Sequence, residues 1–249
     1  MITALAGLTA TEFAILIAAT FLAGLVRGFA GFGTAMVYLP IAGIVLSPVA
    51  LITTMVVMDG IGPLPNVPRA LRDGDLKQVG WMSLGALLGL PLGLALLFWF
   101  DPTAFRWGLS LVIFLLLGAL LSGWRYRGAV STPLVFGAGG MAGITGGALG
   151  LAGPPLILLF VASTLKVSVV RANLLLFLLA SDVLMLAAFW LKGSLMGDAI
   201  LIGIVLVVPY TIANILGARL FDPAREAMYR KGAYGIIAGS ALLGLPIWS

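Results

Sequence analysis

The sequence contains no cysteine and no histidine, and it carries few charges. Without cysteine, disulfides, thiol catalysis and thiolate metal sites are excluded. Without histidine, the commonest general base and the commonest imidazole metal ligand are missing. HExxH and GxSxG motifs are absent as well, so a membrane-embedded enzyme has little from which to build a site. We therefore expect no enzyme activity, no cofactor and no bound metal, and the missing GxxxxGK[ST] loop argues against a primary pump.

The chain is instead rich in apolar residues. Of its 249 residues, 61% are hydrophobic and 9% are charged, and the mean hydropathy is +1.17. Runs of about 20 apolar residues suffice to cross a bilayer. Uncharged runs of this kind occupy 78–100, 107–124, 128–165, 199–218 and 232–249. They lack the alternation of barrel strands, so they predict an all-α polytopic protein of the plasma or inner membrane, whose partner is the lipid bilayer.

The basic residues and the N-terminus fit this class. A net charge of +5 raises the question of nucleic acid, but most lysines and arginines stand in short loops between spans, where they set orientation. We therefore expect no nucleic-acid partner. The first 13 residues contain no lysine or arginine, so they lack the basic region of a cleavable signal peptide. We expect residue 1 to be the mature N-terminus.

The two halves of the chain resemble each other. Gly24, Gly28 and Gly31 match Gly143, Gly147 and Gly150 at a shift of 119, which is 143 minus 24. The same shift carries "LRDGDL" (71–76) onto "WLKGSL" (190–195), and a shift of 121 carries "FDP" at 100–102 onto "FDP" at 221–223. The sequence thus predicts two repeats, 1–128 and 129–249, each a Gly/Pro-broken hairpin plus three transmembrane helices in one integrated domain.

The basic residues of equivalent loops predict that these repeats are inverted. The loop of the first repeat at 69–77 holds three basic residues, whereas its partner holds Lys192 alone. For the "FDP" loops the bias reverses, from Arg106 alone to Arg219, Arg225, Arg230 and Lys231. Because cytoplasmic loops carry the excess of lysine and arginine, equivalent loops lie on opposite sides of the membrane. Both termini are then external, and inverted repeats are common in secondary transporters.

Glycine-rich turns break both hairpins. The turns are 28–34 and 146–155, and each is followed by a short return, 35–46 or 156–165. Ten residues of helix reach about 15 Å, far less than the roughly 30 Å hydrocarbon core, so the turns are predicted near the midplane. Glycine allows close approach to the main chain, and a helix N-terminus attracts anions. The predicted substrate-binding residues of these turns are Arg27, Gly28, Gly31, Gly33, Thr34, Gly147, Gly150, Gly153 and Pro154.

A second interpretation of the glycines is helix packing. Gly139, Gly143 and Gly147 are four residues apart, and small residues at this spacing are ordinary in membrane helix contacts. By this interpretation Gly139 lies on a packing face remote from the substrate, and Gly139→Ala is expected to be mild. Pro154 and Pro155 cannot continue a helix, and with the equivalent placement of the two turns they favour a binding role.

At these residues the chain resembles the TauE/SafE family of sulfite and organosulfonate exporters. The stretches that carry the resemblance are "GFAGFGTAMVYLPIAGIVLSPVA" (28–50), "ALRDGDL" (70–76) and "GITGGALGLAGPPLILLF" (143–160). Phe29, Ala30 and Phe32 stand where many members are richer in glycine. The resemblance implies a small anionic substrate such as sulfite, a sulfonate or a related organic anion.

Two carboxylates fall deep within apolar spans. Asp59 and Asp182 are 123 positions apart, each in the span after its hairpin. Intramembrane carboxylates are costly, and they are functional hypotheses by default. One interpretation is a coupling site for H⁺ or Na⁺; the other is a structural salt bridge, such as one from Asp59 to Arg27.

Further polar residues have two interpretations each. Arg171 and Asn173 open the span of Asp182, where Arg171 either closes over a substrate anion or anchors a cytoplasmic helix end. Arg27 is a marker of the cytoplasmic side if the first helix ends at Val26. Tyr210 and Asn214, in a span broken by Pro209, are expected to line the path.

The sequence favours one function over one alternative. The favoured function is a secondary transporter of small anions, with substrate at the midplane between the two turns and with H⁺ or Na⁺ as coupling ion. A passive anion channel is the alternative, because the same turns would serve it. An oligomer is compatible with either function.

Overall fold

The structure, a computed structural model, describes residues 7–122, 130–160, 165–221 and 226–247. These residues form α-helices joined by short loops, with one 3₁₀ turn at Leu64–Asn66 and no strand in the described ranges. The helices are α1 (Ala10–Ala30), α2 (Thr34–Ala42), α3 (Pro48–Ile61), α4 (Val67–Asp73), α5 (Leu76–Trp99), α6 (Pro102–Leu121), α7 (Thr132–Leu149), α8 (Pro154–Phe160), α9 (Val167–Leu191), α10 (Gly197–Leu220) and α11 (Glu226–Gly244).

Within the described residues, six helical segments are long and apolar enough to cross a membrane. They are Ala10–Ala30, Pro48–Asp73, Leu76–Trp99, Pro102–Leu121, Ser168–Leu191 and Gly197–Leu220. The predicted all-α polytopic membrane protein is thereby confirmed. Pro209 lies inside α10 without ending it, so the span expected to be broken there is a continuous helix.

Both predicted glycine turns interrupt the helices. Gly31 ends α1 with a φ of 79°, and Gly150 ends α7 with a φ of 73°. This left-handed backbone is what glycine adopts without the steric cost that a Cβ brings. A short helix follows each turn: α2 has 9 residues, and α8 has 7 and ends at Phe160, where the described residues stop. The short returns expected from the sequence are therefore helical over 35–42 and 156–160, and residues 161–164 of the second return lie outside the described residues.

The order of helices repeats along the chain. Each half has a long helix ended by a left-handed glycine, then a short helix, then longer spans. The spans α5 and α10 are both 24 residues long, and their first residues are 121 apart, which is 197 minus 76. The predicted boundary between residues 128 and 129 adjoins 123–129, which lie outside the described residues. The inversion of the halves stays a prediction.

The helices pack into two compact units, and each unit draws on both halves of the sequence. The first unit falls within Met1–Gly62, Pro102–Leu117 and Ser194–Ser249, so that α1, α2 and α3 pack with α10 and α11. The second falls within Pro63–Asp101 and Gly118–Gly193, where α7 packs along α5 and α9 packs on α4 and α5. In both units the helix before the glycine turn lies against a span from the other half.

Glycines bring the backbones of these helix pairs into contact. In the first unit, a Cβ on Gly24 would lie 2.6 Å from the Tyr210 carbonyl oxygen, and one on Gly28 would overlap the Asn214 carbonyl oxygen. In the second unit, a Cβ on Gly139 or Gly143 would overlap a backbone oxygen of α5. Close approach of this kind lets helices associate in lipid, where there is little hydrophobic drive between them.

Candidate functional site

An ion pair joins the end of α1 to α3 in the first unit. Arg27 lies in the last turn of α1, and its Nη1 donates to Asp59 Oδ1 at 2.8 Å and to Oδ2 at 3.0 Å. Asp59 lies near the end of α3. The two side chains are 17% and 11% exposed, so the pair is largely withdrawn from solvent. Charges this buried are retained when they are paired and hydrogen-bonded.

Two hydroxyl groups close a ring with this pair. Tyr210 of α10 donates from its hydroxyl to Asp59 Oδ1 at 2.7 Å, and its Oη is 3.1 Å from Thr34 Oγ1. Thr34, the first residue of α2, also receives a hydrogen bond of 3.3 Å from Arg27 Nη1. Thr34 and Tyr210 are 4% and 1% exposed. We call these four residues, Arg27, Thr34, Asp59 and Tyr210, the arginine ring.

The direction of each hydrogen bond in the arginine ring follows from its chemistry. A carboxylate accepts and does not donate, so the Tyr210 hydroxyl hydrogen points at Asp59. Tyr210 Oη then accepts from Thr34, whose own oxygen accepts from Arg27. Arg27 is therefore connected to the Asp59 carboxylate in two ways, by direct hydrogen bonds and by a chain of hydrogen bonds through the hydroxyls of Thr34 and Tyr210. Such charge-assisted bonds are about twice as strong as neutral ones.

The first glycine turn lies beside the arginine ring. Gly31 and Gly33 both have positive φ, and Gly33 is the residue before α2, so Thr34 is held at the start of this helix. The N–H groups of a first helical turn have no partner within the helix and carry the positive end of the helix dipole. Anions are stabilised in such a place.

Most of the first-unit residues predicted from the sequence lie in the arginine ring or in the glycine turn beside it, but Gly28 has a packing role. The structure brings Arg27, Thr34 and Asp59 together and places Gly31 and Gly33 at the break. Gly28 instead faces the α10 backbone, as the packing interpretation expected. Because α1 continues to Ala30, Arg27 lies inside the helix and not beyond its end at Val26. The Asp59 to Arg27 salt bridge, one of the two interpretations, is present.

Sequence reasoning missed the partnership of Tyr210 with Asp59. Tyr210 was expected to line the path, but 151 positions separate it from Asp59, and no local pattern connects the two. A buried tyrosine usually finds a hydrogen-bond partner for its hydroxyl, which was the available signal. Gly62 leaves room for the aromatic side chain of Tyr210, since a Cβ on Gly62 would lie 2.8 Å from Tyr210 Cε1.

The second glycine turn, in the second unit, is held by neutral groups. Thr145 donates from its hydroxyl to the Leu151 carbonyl at 2.7 Å, and the Gly150 N–H donates to the Gly146 carbonyl at 2.8 Å. Gly147 packs on α5, where a Cβ would lie 2.9 Å from the Leu90 carbonyl oxygen. Gly153 and the buried Pro154 lead into α8. The turn predicted from the sequence is thus a helix end, a bend and a new helix.

The polar residues of α9 lie apart from one another. Asn173 is fully buried: its Oδ1 accepts from the Asp75 N–H at 2.8 Å, and its Nδ2 donates to Gln78 Oε1 at 3.2 Å. These bonds attach α9 to the loop before α5, where Asp75 caps the helix. Arg171 is exposed, and Asp182 is half-buried in the second half of α9.

Comparisons with known proteins agree with these features. The family model described as "Sulfite exporter TauE/SafE" matches residues 16–243. A curated protein of Cupriavidus necator, named "Probable sulfite/organosulfonate exporter TauE", is 30% identical over 233 residues, which cover 87% of either chain. No solved structure matches the chain. The chain therefore belongs to the sulfite exporter TauE/SafE family, and the prediction of a membrane transporter rather than an enzyme is confirmed.

Proposed function

We propose that this protein is a secondary transporter of small oxyanions such as sulfite or a sulfonate, and that Arg27 is its principal substrate contact in the first unit. The observation that carries the proposal is a buried guanidinium beside a glycine break and the start of a short helix. Guanidinium presents planar donors that match oxyanions. Both carboxylate oxygens of Asp59 accept hydrogen bonds from Arg27 Nη1, which supports the proposal that an oxyanion can bind at this nitrogen.

Other first-unit residues have supporting roles in this proposal. Thr34 offers a hydroxyl 3.3 Å from Arg27 Nη1. The Gly31 N–H already donates to the Arg27 carbonyl oxygen at 2.7 Å, so the backbone donors proposed for the substrate are those of Gly33 and the first turn of α2. A Cβ on Gly31 would meet no atom within 4 Å, so the approach along this side of the turn is open. Gly28 supports the site indirectly, because its contact with α10 holds the end of α1 against Asn214 and Gly217. The substrate therefore has a cation, a hydroxyl and backbone donors.

For the second unit we propose a contact through the main chain. Gly150, Gly153 and Pro154 form the turn into α8, and Gly147 fixes that turn against α5. Arg171, exposed at the beginning of α9, is proposed to attract anions to the protein. Asn173 is assigned to holding the start of α5, because its amide is hydrogen-bonded to Asp75 just before this helix and to Gln78 in its first turn.

Orientation and localisation complete the proposal. The charge bias of equivalent loops supports two inverted repeats in a cell membrane with both termini external. Asp73, the last residue of α4, and Lys192, the residue after α9, are equivalent positions, since 192 minus 73 is 119, and both are exposed. In a chain without native cysteine, Asp73→Cys should be protected from an impermeant reagent added to intact cells, and Lys192→Cys should be labelled. Equal labelling of both positions argues against inversion.

Transport by exchange separates a carrier from a channel. Purified protein in vesicles loaded with unlabelled sulfite should accumulate labelled sulfite above its external concentration, because a carrier exchanges one anion for another. A panel of thiosulfate, sulfonates and small carboxylates then ranks the substrates by competition. Flux that never exceeds equilibrium would favour the passive anion channel. Coupling to H⁺ or Na⁺, proposed at Asp59 or Asp182, is measured by imposing each gradient in the same vesicles.

A further inference from the structure

The carboxylate of Asp59 occupies the place on Arg27 that the proposed function gives to the substrate. We propose that Asp59 is a built-in competitor for the transported anion, and that uptake of one proton by Asp59 releases Arg27 to bind that anion. The inference rests on the proposed function and deepens it, because it chooses H⁺ over Na⁺ and Asp59 over Asp182. Transport is then symport of one proton with each anion.

Competition follows from the geometry of the ion pair. Arg27 Nη1 is 2.8 Å and 3.0 Å from the two Asp59 oxygens, so an anion bound at this nitrogen would lie directly beside the negatively charged carboxylate of Asp59. Two like charges a few ångströms apart repel strongly where the surroundings are poorly solvated. With Asp59 protonated, the same place holds one cation, one anion and one neutral acid. Binding of the anion and binding of the proton therefore favour each other.

The groups that face Asp59 are suited to this exchange. Arg27 of α1 and Tyr210 of α10 are hydrogen-bonded to Asp59, and Thr34 of α2 is hydrogen-bonded to both of these partners. Tyr38, also of α2, faces α3 further along, where its hydroxyl is 2.8 Å from Thr54 Oγ1. The protein thus sets one arginine and neutral hydroxyls around this carboxylate, with no second carboxylate among these partners.

The two hydroxyls of the arginine ring can reverse their direction when Asp59 takes up a proton. In the structure the hydrogens run from Thr34 to Tyr210 to Asp59. A protonated Asp59 has a hydrogen to donate to Tyr210, which then donates to Thr34, and the Thr34 hydroxyl hydrogen is turned toward the anion. Every hydroxyl keeps one hydrogen. The proton comes from water on the side where the site is open, and it returns to water on the other side with the anion.

The test measures how anion affinity depends on pH in purified full-length protein. Methanesulfonate is the probe, because a sulfonate keeps its charge between pH 5 and 8, and sulfite is measured in parallel. Wild-type affinity should fall as pH rises, approaching tenfold per pH unit above the midpoint. Asp59→Asn, which imitates the protonated acid, should bind with an affinity that does not depend on pH. Asp182→Asn, the matched carboxylate in the second unit, should keep the wild-type slope.

Each contrary outcome has a distinct meaning. An unchanged pH slope in Asp59→Asn, or a slope lost in Asp182→Asn, overturns this inference while leaving the proposed function standing. Failure of the wild type to bind either anion overturns both. If Asp59→Asn does not fold, Tyr210→Phe supplies the test: it keeps the ion pair but removes one donor to the carboxylate. Tyr210→Phe should then bind methanesulfonate roughly tenfold more tightly than the wild type at pH 8, because the competing carboxylate has lost one charge-assisted donor. Equal or weaker binding overturns the inference.

Discussion

The turn between α1 and α2 and the turn between α7 and α8 have similar backbones but different side chains. Both follow a helix that is packed through glycines four residues apart, and both end that helix at a glycine of positive φ. The first turn lies beside the arginine ring, whose member Thr34 directly follows Gly33. At a shift of 119, Arg27 and Thr34 correspond to Gly146 and Gly153, and at a shift of 121 Tyr210 corresponds to Gly89.

This comparison separates the residues that build the fold from those to which the proposed function assigns ligand binding. The pattern of Gly24, Gly28 and Gly31 recurs because two glycines bring a helix onto its neighbour and the third ends it. The side chains of Arg27, Thr34 and Tyr210 do not recur, because glycine stands at each of the corresponding positions. Under the proposed function, the first turn supplies a cation for the anionic substrate, and the second supplies its main chain.

Arg27→Gln should show the difference between the turns most strongly. It leaves the Asp59 carboxylate buried without its cation, which costs about 3 to 5 kcal/mol in the free energy of unfolding. In the second turn, Thr145→Val removes a neutral hydrogen bond to Leu151, and a cost of about 1 kcal/mol is expected. Equilibrium unfolding in SDS measures both values.

The double variant Arg27→Gln with Asp59→Asn is the control for that comparison. It removes both charges, so most of the lost stability should return. If Arg27→Gln alone unfolds at the same SDS concentration as the wild type, the ion pair does not hold the first unit together.

The packing glycines should behave alike in the two units. Gly28→Ala sets a methyl group against the backbone of α10, and Gly139→Ala does the same against α5. Overpacking of this kind costs about 1 to 3 kcal/mol. Met82 of α5 leaves no room for a Cβ on Gly139, so Gly139→Ala is expected to lower stability. That it has only a mild effect on anion binding, as expected from the sequence, stays a prediction. Gly137→Ala in α7 meets open space and serves as the matched control, with thermal unfolding as the measurement.

The cap glycines should give the smallest and most equal effects on stability. Gly31→Ala and Gly150→Ala place a Cβ on left-handed backbone, at about 1 to 2 kcal/mol each. If the main chain also binds substrate, bulkier changes should reduce anion binding more than they reduce stability. We therefore expect folded Gly31→Val and Gly150→Val proteins, verified by monodisperse elution and helical content, to lose binding. Unaltered affinity in both would assign these glycines to helix structure alone.

Much of the fold could be predicted from local sequence, and much of the site could not. Apolar runs and glycine-proline breaks specify spans and turns locally, which is why Gly31, Gly150 and the short helix α2 were foreseen. Whether a glycine packs or caps depends on which face meets a neighbour, so Gly28 and Gly31 could not be distinguished. The pairing of α1 with α10 and of α7 with α5 joins distant parts of the chain, and Tyr210 reaches Asp59 through that pairing.

The central claim, that Arg27 binds the transported anion, is tested most directly by one pair of binding measurements. Asp59→Asn and the double variant Arg27→Gln with Asp59→Asn both lack the competing carboxylate, so they differ by the guanidinium alone. Sulfite and methanesulfonate should bind the double variant roughly ten- to a hundredfold more weakly, the value of one charge-assisted hydrogen bond. Equal affinity of the two folded proteins for both anions would contradict the account.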